Sequence, residues 1–140
     1  MRQVLVPIDP SNEDRTRSQI SEVVRLYRQE PMEVRLVRVQ PRLTSHVAMF
    51  FGNRELQQLQ HEAGTEELQF AETLLANAGV PHTSTVLVGR SAETIAKAAR
   101  DFGCDRIVFG EERGLAGRVF GTLAQQVRHL MGGGAQVIGS

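Results

Sequence analysis

The residues best suited to chemistry lie in one stretch, "FGEERGLAGRVFGT", Phe109 to Thr122. Its glycines, Gly110, Gly114, Gly117 and Gly121, would let backbone approach a ligand closely. Gly121-Thr122 reads as the start of a helix, where free backbone N–H groups and the positive end of the dipole favour an anion. The Thr122 hydroxyl adds a donor, and Arg113 and Arg118 could supply counter-charge to phosphates. Glu111 and Glu112 work the other way, because two carboxylates in the loop would repel a triphosphate unless turned to solvent or bridged by a metal ion. A glycine-rich loop without a full fingerprint is a weak signal, and the alternative is a turn whose Thr122 merely caps a helix.

Asp9, in "VPIDPSN", is the second candidate. A carboxylate at the end of a strand can accept hydrogen bonds from a ribose or from an adenine amino group. With Ser11, Asn12 and Asp14 beside it, Asp9 can equally serve as turn and N-cap chemistry for the helix that follows, and the residues alone favour the cap. No catalytic constellation emerges. His46, His61, His82 and His129 have no metal-ligand spacing, and neither a nucleophile elbow nor a Walker sequence is present. Cys104 precedes an apolar strand with no nearby histidine and reads as a small buried filler rather than a nucleophile. Glu66-Glu67 reads as a solvated helix face.

The elements that must position these residues alternate. Short apolar runs at 3–8, 33–39, 83–88, 106–110 and 135–139 have strand length and are rich in valine and isoleucine. The first and fourth are nearly continuous, as strands covered on both faces should be; the second is interrupted by Arg35 and Arg38 and is expected nearer an edge. Between them, Ile20, Val23, Val24 and Tyr27 follow helical spacing, as do Ile95, Ala98, Ala99 and Phe102. Leu56, Leu59, Ala63, Leu68, Ala71 and Leu75 mark a long central helix, and Phe120, Leu123, Val127 and Leu130 the last one. This order implies one α/β domain, 1–140, with an open five-stranded parallel sheet of strand order 3-2-1-4-5 and four helices on its two faces, a three-layer α/β/α sandwich. Ligands of such sheets bind beyond the carboxyl ends of the strands, where the strand order reverses. Residues 40–55 form an unusually long connection with an apolar patch, Val47 to Phe51, that either meets a partner or ligand or tucks back on the core.

Lysine plus arginine and aspartate plus glutamate number 16 each, so the formal charge is zero. That balance leaves no electrostatic footprint for nucleic acid or anionic lipid and lowers the barrier to self-association. No apolar run reaches the length of a membrane span, and "MRQVLVPIDP" does not read as a signal peptide. A single cysteine suits a reducing cytoplasm.

"VLVPIDPSNEDRTRSQI" resembles the opening of the universal stress protein family, and "VRLVRVQP" resembles its second strand. "VLVGRSAETIAKAARDFGCDRIVFG" and "GTLAQQVRHLMGGGAQVI" are similar to its later elements. The likeness covers nearly the whole chain and is weakest over 40–65. Nucleotide-binding members carry Gly-x2-Gly-x9-Gly-[Ser/Thr] after the fourth strand. Gly110 matches the first glycine and Gly121-Thr122 the final pair, while Arg113 occupies the second and the segment before Gly121 is two residues short. Gly114-Leu115 matches the family's later Gly-Leu, so the deletion falls in Glu111–Arg113, where phosphates would rest. Pro10 stands where glycine is common. Pro7, Ile8, Asp9, Val39 and Phe109 match the family's adenine- and ribose-side positions.

The resemblance implies a stress-response regulatory module that is dimeric and non-catalytic, with a degenerate adenine-nucleotide cleft. The alternative is an ATP- or AMP-binding member with slow ATP hydrolysis, using Mg2+ if a triphosphate is held. The cleft residues implied are Pro7, Ile8, Asp9, Val39, Phe109, Gly110, Arg113, Gly114, Gly117, Gly121 and Thr122. A homodimer through the last strand, residues 135–140, is expected, with room for a further protein partner. A redox or small-molecule enzyme on the same fold is the third and weakest reading, since Cys104 has no base.

Overall fold

The computed structural model describes residues 2–42, 52–110 and 115–139, with the backbone alone for 53 and 115–122. The described residues form β1 (Gln3–Pro7), α1 (Glu13–Gln29), β2 (Glu33–Gln40), α2 (Asn53–Asn77), β3 (His82–Val88), α3 (Ser91–Asp101), β4 (Arg106–Val108), α4 (Leu115–Met131) and β5 (Gln136–Ile138). All strand pairs are parallel, in the order β3-β2-β1-β4-β5. The sheet order and layering are those expected from the alternating pattern.

Each strand face has its own core. Val4, Val6, Ile8, Val34, Leu36 and Val108 pack beneath α1 and α2, whereas Leu5, Val37, Val39, Ile107 and Phe109 pack beneath α3 and α4. The near-continuous apolar run of β1 follows from this double cover at the centre of the sheet. β2 lies one strand in from the edge strand β3, and its arginines are half-buried against neighbouring elements. The Arg35 guanidinium stacks 4.0 Å above the Phe102 ring, and Arg38 reaches α2.

On α2 the inward row differs from the expected one. Leu56, Leu68, Ala71 and Leu75 are buried, but Leu59 and Ala63 are exposed, and Gly64 takes the inner position. A Cβ at 64 would fall 2.5 Å from Val86 Cγ1, so the helix crosses β3 closer than any side chain there would permit. On α1, Asn12 is the N-cap: its side chain accepts the Arg15 amide at 3.0 Å, with Glu13 and Asp14 in the first turn.

The sheet opens between β1 and β4, the two strands at which the order reverses. Their register is Val4↔Arg106 and Leu5↔Ile107. Continuing that register would aim the amide of residue 7 at the Val108 carbonyl, but residue 7 is a proline and has no N–H. The buried side chain of Gln19, reaching up from α1, fills the gap. Its Nε2 donates to the Pro7 carbonyl at 2.6 Å and to the Val108 carbonyl at 2.8 Å. Both strand ends are thereby satisfied while held apart.

Replacing Gln19 by Leu would strand two buried carbonyls, and an unfolding free energy lower by about 2–4 kcal/mol is expected. Urea denaturation measures it. A loss below about 1 kcal/mol would show that the strands close on each other without help.

Candidate functional site

The carboxyl ends of β1, β2 and β4 enclose a cavity of about 200 Å³ at this opening. Pro7, Ile8 and Asp9 come from the end of β1, Arg38 and Val39 from β2, and Phe109 follows β4. Arg15 of α1, Ser91 and Ile95 of α3, and Leu123 of α4 complete the lining. Val39, Ile95 and Phe109 are buried, so one wall of the cavity is apolar.

The opposite wall is ionic. Asp9 Oδ1 accepts both the Ser11 amide at 3.0 Å and the Ser11 hydroxyl at 2.6 Å, while Oδ2 lies 3.7 Å from Arg15 Nη1. Asp9 therefore closes the turn after β1, and the cap itself is Asn12. Arg15 is only 5% exposed and sits in the first turn of α1, where the helix dipole disfavours a cation, so the Asp9 carboxylate offsets an otherwise costly placement. Gly110 fits here because a Cβ would lie 2.6 Å from the Arg15 carbonyl oxygen.

Arg38 is held from the other side. Its Nε donates to Glu67 Oε2 at 2.8 Å, and Glu67 Oε1 accepts Gln40 Nε2 at 2.6 Å. Its Nη1 donates to the Val39 carbonyl at 2.8 Å. Glu67 is thus a structural partner on the inner side of α2, not part of a solvated face.

Among the residues nominated from sequence, Pro7, Ile8, Asp9, Val39 and Phe109 converge on the cavity. Gly110 adjoins it through Arg15. Arg113 and Gly114 lie outside the described residues, as does the patch at 47–51. Gly117, Gly121 and Thr122 fall inside α4, which begins at Leu115. This corrects the expected helix start. Leu115, Val119, Leu123 and Val127 form one i, i+4 row, so the helical pattern extends about two turns upstream of Thr122, and free N–H groups belong to 115–117 rather than 121–122.

Sequence reading missed Arg15, Arg38, Ser91, Ile95 and Leu123 as lining residues, and Gln19 as their support. A signal existed for α1. The buried row running back from Val23 in steps of four passes through Gln19 to Arg15, so these polar residues occupy core positions. Among the described residues, no group of three or more His, Cys, Asp or Glu side chains could hold a metal ion. Nor is any described helix long and apolar enough to cross a membrane.

A crevice at the strand-order reversal of a five-stranded parallel sheet defines a Rossmann-like α/β fold. The model of the universal stress protein family matches residues 1–131, and the chain belongs to that family. Comparison with curated proteins gives no match. Among solved structures, the chain resembles a universal stress protein from Archaeoglobus fulgidus, with TM-score 0.72 and 19% identity over 99% of this chain and 98% of the other. A complex of the Archaeoglobus fulgidus protein with dAMP is similar at TM-score 0.67 and 17% identity, over 99% and 97% of the two chains. An Arabidopsis thaliana family member with AMP bound matches at TM-score 0.65 and 17% identity, over 99% and 90%. At such identities the likeness shows the fold alone.

Cys104, the chain's single cysteine, is a free thiol only 4% exposed. Burial chiefly pushes its pKa from 9.0 up to about 11, with Arg35 pulling it down and Asp105 adding to the rise. This is a packing residue with little thiolate at neutral pH. Native protein at pH 8 should react with Ellman's reagent at least about 100-fold more slowly than unfolded protein. The folded pKa lies above the unfolded one, so the thiol's contribution to stability is complete below pH 9 and declines between 9 and 11, a slope that Cys104→Ala should flatten. Equal labelling rates would contradict this burial.

Proposed function

We propose that this chain is a non-catalytic regulatory module whose cleft takes a purine nucleoside monophosphate, with occupancy of the cleft as its signal. The observation that carries the reading is the cavity itself, set at the strand-order reversal and walled by Val39, Ile95 and Phe109 on one side and by Asp9 and Arg15 on the other. At about 200 Å³ it is smaller than the roughly 300 Å³ at which small-molecule sites usually begin. Its enclosed part suits a base and sugar, and the shortened Glu111–Arg113 segment favours one phosphate over three. AMP and dAMP bound to proteins of this fold support the ligand class. In this cleft the apolar wall would grip the base, and the paired Asp9 would present its carboxylate edge to a sugar hydroxyl.

The alternative, slow ATP hydrolysis with Mg2+, asks Asp9 to bind a metal or position water, and among the described residues no group of three or more His, Cys, Asp or Glu side chains stands with it to hold an ion. The single buried thiol is in keeping with a cytoplasmic home. Calorimetric titration with AMP and IMP is expected to give a dissociation constant of about 100 µM or tighter for at least one, with ATP plus Mg2+ gaining nothing. Ile95→Arg, which fills the cavity, should abolish binding. If neither monophosphate binds below about 1 mM, the reading fails.

The module is also proposed to dimerise through β5. Gln136 donates to the Asp105 carbonyl and Ile138 accepts from Phe109, so Val137 between them directs its N–H and C=O away from β4, toward the outer edge of the sheet, where Arg128 Nη2 donates to the carbonyl at 3.4 Å. Light scattering after size exclusion should report a dimer, and Val137→Pro, which removes that outward donor, a monomer. A dimer persisting in the proline variant would move the interface elsewhere.

A further inference from the structure

The β2 rim of the cleft is unusual in what it can hydrogen-bond. Ile8 donates to the Val37 carbonyl at 2.9 Å, which is the last rung joining β1 to β2. Val39, two residues further, turns its own N–H and C=O the same way, past the end of β1 and toward the cavity it lines. Its carbonyl is already taken by Arg38 Nη1 at 2.8 Å. That guanidinium is tethered by Glu67, which is itself tied to the buried Gln40, and both partners of the ion pair are about a quarter exposed or less. The rim therefore offers donors, the Val39 N–H and the remaining guanidinium N–H groups, while the Val39 carbonyl has already taken one of the two bonds it can accept.

We propose that Arg38 makes this cleft select a 6-oxopurine nucleotide over a 6-aminopurine nucleotide. O6 and N7 of hypoxanthine or guanine are adjacent acceptors that a guanidinium takes as a pair. An adenine amine at the same place would set N–H against N–H and leave a donor unmatched in a desolvated crevice. The inference rests on the reading of the cleft as a purine monophosphate site and names the base that site prefers.

IMP and AMP share their sugar and phosphate, so their ratio of affinities reports on the base edge alone. Calorimetry on the wild-type chain is expected to show IMP about tenfold tighter. Arg38→Met keeps the aliphatic stem, removes every donor and uncovers the Val39 carbonyl, so the preference should vanish or reverse. Arg38→Lys, which keeps the charge but not the paired donors, should give an intermediate ratio and serves if the methionine variant does not fold. AMP binding the wild type as tightly as IMP, or a foldable Arg38 variant retaining the wild-type ratio, overturns the inference and leaves the nucleotide reading standing. Binding of neither removes the nucleotide reading itself, and this inference with it.

Discussion

The mouth of the sheet depends on one carboxamide. Two neighbouring parallel strands normally run hydrogen-bonded to their ends, and here β1 and β4 do so only as far as Leu5 and Ile107. Pro7 withholds the next donor, and Gln19 supplies bonds to both carbonyls from outside the sheet. Without the proline the strands could zip together; without the glutamine the separated ends would carry unmet carbonyls. The pair makes an opening stable, and Ile8 and Asp9 on one side and Phe109 on the other line the cavity where the two strands part.

The charges around that opening are neutralised in advance. Arg15 sits against Asp9 and Arg38 against Glu67, so the cavity contains cations without a net positive field. Such a lining does not attract polyanions over distance, but it presents directed hydrogen-bonding groups at low reorganisation cost. Such electrostatics would suit the proposed reading of a small ligand by shape and polarity better than the gathering of phosphates by charge.

The fold was legible because its pattern repeats: valine-rich runs between helical stripes leave few alternatives to a doubly wound sheet. The apolar side of the site was legible for the same reason, since Pro7, Ile8, Val39 and Phe109 terminate those runs. The polar supports were harder to see. Gln19 and Arg15 lie in a helix full of solvated charges, and nothing but their place in the Val23 row separates them from Arg17 or Arg28. Glu67 differs from Glu66 only by a rotation of the helix that Leu59 and Ala63 seemed to set otherwise. The start of α4 was misplaced because glycine was read as a boundary where an i, i+4 row of apolar residues continued through it.

Gly64 gives the edge of the sheet an unexpected reach. It allows α2 to settle onto Val86, and Glu67 lies a single turn further along the same helix. Any larger residue at that point must either displace the valine or lift the helix, and a lifted helix carries the carboxylate away from Arg38. A substitution remote from the crevice, in what looks like plain interior packing, would then slacken the arginine's tether, so tolerance at a silent core position and discernment at the mouth are mechanically a single property.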